Sequence, residues 1–278
     1  MKPGRASPAS VSVTNTTSIL SSAPAVDPFQ DYLDRSFDPV FEELGLRWLP
    51  WVGRGFVGSD SRTIVLGESI YVYESKTERA ETKARIERRD SLRNRHLAIG
   101  IKGNGNNIYV RNFERAVFMA GSPKLADRAR LWSQVVYHNL VPALLEKRAH
   151  RPTVDDFTKG WREFLKLAEA TGAARCVVYG TDWAKVQALL ALLSPGQLLH
   201  KKRFPLISRS RPSAISIQLG DRRLDMLFIG HPSNHFSWKK WGAFMRDQGM
   251  TLAPQSLNDQ LKAIYRENEA LFKRLEDA

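Results

Sequence analysis

Three apolar, strand-like runs of the sequence end in residues that could do chemistry. One leads into Gly67-Glu68-Ser69-Ile70-Tyr71, a later one leads into Gly230-His231-Pro232-Ser233, and the run between them ends at Asn139. A carboxylate such as Glu68 can orient water or offset a developing positive charge, and a histidine can donate a proton near neutral pH. The side chain of Asn139 can offer both a donor and an acceptor to a polar ligand. We therefore expect these residues to share a pocket.

The order of the predicted elements places these residues at one edge of a sheet. Buried strands that alternate with helical patterns indicate an α/β fold, here a three-layer αβα sandwich with a central four-stranded parallel sheet. Ligands of such sheets bind outside the carboxyl ends of the strands. The four predicted strands lie at 63–67, 134–138, 175–180 and 224–230. The residues at their carboxyl ends are Glu68, Asn139, Thr181 and His231.

The chain is predicted to form one domain, 27–278, after a disordered tail at 1–26 that is rich in Ser, Ala, Thr, Val and Pro. A basic insertion at about 74–130 interrupts the α/β pattern. It contains the strand-like run Ile108-Tyr109-Val110 and a glycine-rich loop that lacks the order of a nucleotide-binding P-loop. We expect this glycine-rich loop to be either a mobile basic loop over a DNA backbone or a plain surface insertion.

The pattern of apolar residues also predicts the helices that cover the sheet. Spacings near 3.6 residues predict a first helix at 27–46 and a last helix at 257–275. Thr153, followed by two acids, is typical of a helix start, and Gly172 is typical of a helix end. These helices would bury both faces of a parallel sheet.

The composition narrows the class of protein. The formal net charge of +13 favours a polyanionic partner, with nucleic acid first and an acidic membrane surface second. The single cysteine, Cys176, excludes an intramolecular disulfide, a four-cysteine zinc site and a cysteine-held iron–sulfur cluster. No run of residues is apolar enough to span a membrane, so a soluble, cytoplasmic protein is expected.

The two motifs and the asparagine between them resemble those of the uracil-DNA glycosylase superfamily. Gly67-Glu68-Ser69-Ile70-Tyr71 resembles its first motif, whose variants read GQDPY, GEAPG or GMNPG. Gly230-His231-Pro232-Ser233 resembles its second motif, HPS, and Asn139 ends a strand where the family keeps a base-reading asparagine. The resemblance covers roughly residues 45–250 and implies a DNA partner, a monomer, and catalysis with no metal or organic cofactor.

The resemblance assigns roles in hydrolysing an N-glycosidic bond. Glu68 would stand near the sugar C1′, and His231 would donate to the pyrimidine O2. Asn139 would read the O4/N3 edge of a pyrimidine, or a cytosine edge if its amide is flipped. Gly67 and Ser69 would line the base pocket. Tyr71 would exclude a 5-methyl group or, in a looser pocket, line space for a larger substituent.

The resemblance also implies a DNA-contacting loop and helix. The family's loop after HPS fills the gap that a flipped base leaves in the duplex. The loop residues here are Ser233, Asn234, His235 and Phe236. Lys239 and Lys240 alternate with tryptophans and would face phosphates at a helix start. Packing of that helix on the sheet would explain the tryptophans equally well.

The sequence departs from the family pattern at two positions of the first motif. Ser69 stands where GQDPY has its catalytic aspartate, and Ile70 stands where most variants have proline. Glu68 would therefore have to act alone. The departures and the basic insertion favour a bulky modified pyrimidine, such as a hydroxymethylated or glucosylated cytosine of phage DNA, slightly over uracil. A modified phage base as substrate implies antiviral defence, and uracil as substrate implies repair.

Two other classes of function stay open. A catalytically silent relative could use the same fold to recognise an unusual base. An unrelated α/β hydrolase or nucleotide-binding protein is disfavoured, because neither GxSxG nor a Walker sequence is present. His231 and Asn139 also have structural alternatives, as residues that cap strand ends.

Overall fold

The computed structural model describes residues 32–71, 79–103, 107–145, 150–233 and 235–252. The strands are β1 Trp51–Val52, β2 Thr63–Gly67, β3 Ile70–Tyr71, β4 Val135–Asn139, β5 Leu144–Leu145, β6 Arg175–Tyr179, β7 Leu198–Arg203, β8 Ser213–Leu219 and β9 Arg222–Ile229. The helices are α1 Asp38–Glu43, α2 Arg79–Glu87, α3 Ser91–His96, α4 Ile108–Phe118, α5 Leu125–Ser133, α6 Val154–Thr171, α7 Trp183–Leu190 and α8 Trp238–Asp247, with a π-helical turn at Leu97–Ile101. No helix in the described ranges is long and apolar enough to cross a membrane.

Seven of these strands form one mixed sheet in the order β1-β4-β2-β6-β9-β8-β7. Its four adjacent inner strands, β4, β2, β6 and β9, are parallel, whereas β1, β8 and β7 each run antiparallel to a neighbour. The predicted α/β class is confirmed and the four predicted strands are parallel, but the sheet is a mixed sheet of seven strands, because the prediction omits β1, β8 and β7. The sequence conceals two of them, since β1 has only two residues and β7 is exposed at every position.

The register of the parallel strands brings their carboxyl ends to one edge of the sheet. Gly67 pairs with Asn139, Leu66 pairs with Val178, and Tyr179 pairs with Ile229. Parallel neighbours end on the same side because each strand runs in the same direction. The expectation that the polar residues after these strands share an edge is confirmed.

Helices cover both faces of the sheet. Alternate strand residues point to opposite faces, so Val65 packs beneath α4, α5 and α8, while Leu66 packs beneath α6 and α7. The predicted ends of α6 are also confirmed. Thr153 forms a capping box with Asp156, and Gly172 closes the helix in the left-handed conformation at a φ of 64°.

The first motif continues into a second, small sheet. Directly after Glu68, Ile70 and Tyr71 form β3, which pairs in parallel with β5. Ile70 is buried and belongs to the same core cluster as Val65. A proline at position 70 would offer no backbone donor to this pairing, so isoleucine suits this strand position.

Several predicted elements differ from the structure. Within the described residues, the first helix spans only Asp38–Glu43, because Leu33 instead bridges Gly53, directly after β1, and Pro39 occupies the first turn. Ile108-Tyr109-Val110 opens α4 and does not form a strand. Residues 104–106 of the glycine-rich loop, the tail at 1–26 and the last predicted helix lie outside the described residues.

The basic insertion completes one layer of the fold. Phe113 on α4 and Trp132 on α5 are fully buried against the sheet. Gly242 on α8 lies so close to α4 that a side-chain carbon there would collide with the backbone oxygen of Ala116. Because these contacts form part of the core, the helices of the insertion are a packed layer of the fold.

Close packing at Gly160 supplies a prediction. A β-carbon at this position of α6 would collide with the backbone oxygen of Leu140, directly after Asn139. Gly160→Ala should lower the free energy of unfolding by about 1–3 kcal/mol, despite the better helix propensity of alanine. Urea unfolding would measure the change. Gly58→Ala, where a β-carbon has no neighbour closer than 3.9 Å, is the control, and equal stability of the two variants would contradict the prediction.

Candidate functional site

Glu68 lies at the end of β2, with its side chain held between two cations. Backbone hydrogen bonds from Leu140 to Gly67 and from Val141 to Glu68, both 2.9 Å, continue the sheet past the last strand residues. The Lys185 ammonium donates to Glu68 Oε2 at 2.7 Å, and an Arg151 guanidinium nitrogen lies 3.6 Å from Glu68 Oε1. Glu68 is therefore a buried, paired carboxylate whose two oxygens have different neighbours.

Lys185 is a residue of this site that our sequence interpretation missed. It lies on α7, is completely buried, and makes a second hydrogen bond to the backbone oxygen of Tyr179 at 2.6 Å. Lysine is normally exposed, so a lysine is not expected among the residues that a helix buries. A signal was available, because Lys185 shares the apolar face of α7 with Ala188 and Leu189. A cation on such a face needs a buried anion.

The surroundings of Glu68 set its charge state. Burial raises the pKa of the carboxyl group, but the charges of Lys185, His231 and Arg151 and the hydrogen bond from Lys185 outweigh it, so the pKa lies below the ordinary value. Burial lowers the pKa of Lys185, and the attraction to Glu68 acts in the opposite direction. We conclude that Glu68 is ionised at neutral pH and is a weak base.

Asn139 ends β4 and points toward the layer of α4 and α8. Its Oδ1 accepts a hydrogen bond of 3.2 Å from the Tyr137 hydroxyl, which leaves the Nδ2 group as a donor. Gly67 makes room for this arrangement, because a β-carbon there would collide with Asn139 Oδ1 and lie 2.7 Å from the Tyr137 hydroxyl. The motif glycine is thus required by the neighbouring strand end.

His231 follows β9 and is fixed by the next residues of its own motif. The Ser233 backbone N–H donates to His231 Nδ1 at 3.2 Å, and the Ser233 hydroxyl lies 2.8 Å from the same nitrogen. Because Nδ1 accepts the backbone N–H, the proton of the neutral ring belongs on Nε2. The loop itself is anchored to α4 by a 2.8 Å hydrogen bond from Asn112 to the backbone oxygen of Pro232.

Two further hydroxyl groups near the strand ends have no hydrogen-bond partner among the described residues. They belong to Ser69 and Tyr179, and both atoms are shielded from solvent. The Tyr179 ring lies edge-on to His231, with the ring centres 5.9 Å apart. Buried hydroxyls usually have partners, so these two are candidates to bond with a ligand. Tyr179 was not predicted as a site residue, although it is the last residue of β6.

A cavity of about 560 Å³ opens beside Tyr71, between β3 and the helices α2 and α3. Its lining includes Ile70 and Tyr71 from the first motif and a set of polar side chains from the insertion. The polar lining residues are Thr82, Arg85, Arg88, Asp90, Ser91, Asn94 and Arg95. Tyr71, the residue predicted to meet the 5-substituent of a base, is therefore part of the lining of this cavity.

The residues of the predicted DNA-contacting loop differ in their burial. Phe236 is half-buried and stacks on Trp241, with ring centres 5.8 Å apart and planes at 8°, so its ring is part of the core. His235 is exposed at a φ of 47°, and Asn234 lies outside the described residues. Lys239 and Lys240 are exposed on the first turn of α8, while Trp241 is buried against Gly230.

Within the described residues, no group of three or more His, Cys, Asp or Glu side chains could hold a metal ion. The site consists of Glu68 with its two cations, Asn139 with Tyr137, and His231 with Ser233, arranged along the edge where β4, β2, β6 and β9 end.

No protein-family model matches this chain, and no curated protein resembles it significantly in sequence.

Proposed function

We propose that the protein is a monofunctional DNA glycosylase that hydrolyses the N-glycosidic bond of a flipped pyrimidine and leaves an abasic site. The observation that carries the proposal is the position of Glu68, Asn139 and His231, which all lie at the carboxyl edge of neighbouring parallel strands. The net charge of +13 suits a DNA partner. A uracil-DNA glycosylase-like fold is part of this proposal.

Two of the three side chains, Glu68 and His231, each suit one part of the reaction. Breaking the bond leaves positive charge on the sugar and negative charge on the base. The ionised Glu68 offsets the positive charge on the sugar and orients the attacking water. His231 Nε2–H donates a hydrogen bond to the base O2 and so stabilises the negative charge on the base. No bond to the enzyme forms: water supplies the hydroxyl group that ends on C1′ and the proton that ends on the departing base.

Two observations bear on which base is excised. The Nδ2 donor of Asn139 fits the O4 carbonyl of uracil or of a 5-substituted uracil. The cavity beside Tyr71 offers space for a substituent larger than methyl, such as a hydroxymethyl or a glucosylated group. We therefore keep uracil, as in repair, and an enlarged phage base, as in antiviral defence, as the two substrate classes.

The test is a set of duplex oligonucleotides that each carry one altered base. They contain uracil, 5-hydroxymethyluracil, 5-hydroxymethylcytosine or glucosylated hydroxymethylcytosine, and an unmodified duplex is the control. Alkali-labile strand breaks at the altered base alone are the expected result. Binding without cleavage on every substrate would reject the enzyme and favour a second candidate.

That second candidate is a DNA-binding protein that recognises an unusual base without excising it. It is favoured by the pairing of Glu68 with Lys185 and Arg151, which weakens the carboxylate as a base, and by Ser69 at a position where related motifs carry an acid. Both candidates use the same surface for DNA.

We expect Lys239 and Lys240 to contact DNA phosphates in either case, because both are exposed at the start of α8, next to the His231 loop. Replacing both by glutamine should weaken binding at low salt and lower the slope of log affinity against log salt by about 2. The matched control is Arg162→Gln/Lys166→Gln on α6, which removes the same charge from the other layer. An equal loss in both variants would show that only net charge matters.

A further inference from the structure

Glu68 and Lys185 form a buried ion pair whose cation is enclosed by several parts of the fold. Lys185 is completely buried, and its ammonium donates both to Glu68 Oε2 and to the Tyr179 backbone oxygen. It also lies 5.4 Å from the centre of the Phe157 ring. An ammonium group removed from water is tolerated only where acceptors surround it in this way. The cation is therefore held in a fixed position against one oxygen of the carboxylate.

Gly180, directly after β6, allows this close approach. A β-carbon at this residue would lie 2.7 Å from the Lys185 ammonium and 2.8 Å from Glu68 Oε2. Its φ of 89° is also a conformation that residues with side chains rarely adopt. The backbone at Gly180 thus packs directly against the ion pair and restricts the positions of the Lys185 ammonium and Glu68 Oε2.

The other oxygen of Glu68 has a different neighbour. Oε1 lies 3.6 Å from Arg151, whose side chain is 69% exposed, whereas that of Lys185 is 0% exposed. One oxygen is therefore bound by an inaccessible cation from α7, and the other faces a cation that solvent reaches. The oxygen that can meet water or a sugar is Oε1.

The charged groups around the pair come from three elements. Lys185 faces Glu68 from α7, Arg151 faces it from the segment before α6, and His231 faces it from the end of β9. Asp182, the residue that caps α7, acts on Lys185 together with Glu68. Of the cations, Lys185 is the one that cannot be screened by solvent, because it is fully buried.

We propose that Lys185 is the positioning residue of the site: it fixes Oε2, presents Oε1 to the sugar, and keeps Glu68 charged so that Glu68 acts as a fixed negative charge and only weakly as a base. The part of this inference that concerns the sugar rests on the proposed glycosylase function. The part that concerns the charge of Glu68 does not, and it can be measured without a substrate.

The first measurement is a ¹³C NMR titration of the glutamate side-chain carboxyls in the full chain, with the Glu68 signal assigned by its loss in Glu68→Gln. In the wild type, Glu68 should titrate below the usual glutamate pKa of about 4.3. In Lys185→Met, its pKa should rise by about 1–3 units. Lys159→Met, which removes an exposed lysine paired with Asp155, should leave Glu68 unchanged.

A second variant tests the inference without altering Lys185. In Arg151→Gln/His231→Gln, Lys185 is the remaining cation next to Glu68, so the pKa of Glu68 should stay below the usual value. If the pKa returns to the usual range in this variant, or has that value in the wild type, the inference is overturned. This outcome can be reached even if Lys185→Met does not fold.

The catalytic part is tested by the pH dependence of cleavage of the best duplex substrate. The acidic limb of the rate profile should lie below the usual glutamate pKa and move to higher pH in Lys185→Met. An unmoved limb, with the Glu68 pKa raised in the NMR titration, would reject the positioning role. If no duplex is cleaved by the wild type, the glycosylase proposal fails, and the NMR result still decides the role of Lys185.

Discussion

Glu68→Gln should reduce the rate of abasic-site formation by about 10²–10⁴-fold, the loss typical of removing a group that assists proton transfer or stabilises charge in the transition state. The amide has nearly the same shape, and its oxygen can still accept from Lys185, but it carries no negative charge. The substitution therefore removes the group that offsets charge on the sugar and changes the shape of the pocket little. Single-turnover cleavage of the preferred duplex measures the effect.

The same variant separates the two candidate functions. A glycosylase should lose cleavage and retain DNA affinity, because Glu68 is buried at 6% exposure and lies behind Arg151. Glu169→Gln, an identical change on the exposed side of α6, should alter neither property. Unchanged cleavage in a folded Glu68→Gln protein would exclude Glu68 from the chemistry and would leave the fold without its principal catalytic candidate.

Lys185→Met should lower the free energy of unfolding by about 3–5 kcal/mol, the loss typical of removing one partner from a buried ion pair. Methionine fills much of the same volume, so the loss arises chiefly from Glu68, which would remain buried without its closest cation. Urea unfolding by circular dichroism measures the change. Lys159→Met, which breaks an exposed ion pair on α6, should change the midpoint little.

The loss in Lys185→Met should become smaller as the pH falls. In the wild type, the lowered pKa of Glu68 means that the folded protein binds this proton less readily than the unfolded chain. Its stabilising contribution is therefore complete above the unfolded pKa of about 4.3 and is lost as the pH falls through the folded pKa. In the variant, burial raises the pKa of Glu68, so protonation favours the folded state. A difference that grows in acid would contradict this account.

The double variant Glu68→Gln/Lys185→Met provides the complementary test. A neutral pair of similar shape removes both buried charges, and such replacements are often neutral or stabilising. The double variant should therefore be more stable than Lys185→Met alone. A double loss equal to the sum of the single losses would mean that the two side chains do not act on each other.

The part of the site that could be predicted from the sequence lies at the strand ends. Short buried strands are recognised by apolar runs, and a polar residue directly after such a run must lie at the edge of the sheet. This reasoning places Glu68, Asn139 and His231 without knowledge of their neighbours. It could not give the hydrogen bond from Tyr137 to Asn139, because that contact depends on the glycine at position 67 of another strand.

Lys185 could not be found in the same way. Its partner Glu68 is 117 positions away, and no local rule joins a lysine on a helix to a carboxylate on a distant strand. The edge strand β7 could not be predicted from the sequence for a different reason. All six residues of β7 are exposed, so the strand forms through pairing with β8 and not through a buried face that the sequence would reveal.

The position of β2 has a consequence for how the protein folds. This strand lies between β4 and β6, and its residue Thr63 pairs with Val135 on one side and Arg175 on the other, so both neighbours come much later in the chain. Folding must close these long loops before the contacts offset the lost chain entropy. The high contact order predicts slow folding, with Glu68 among the last groups to reach its native surroundings. A chain truncated before β6 would contain the complete first motif. It would lack both Gly180 and Lys185, which surround the Glu68 carboxylate in the folded protein.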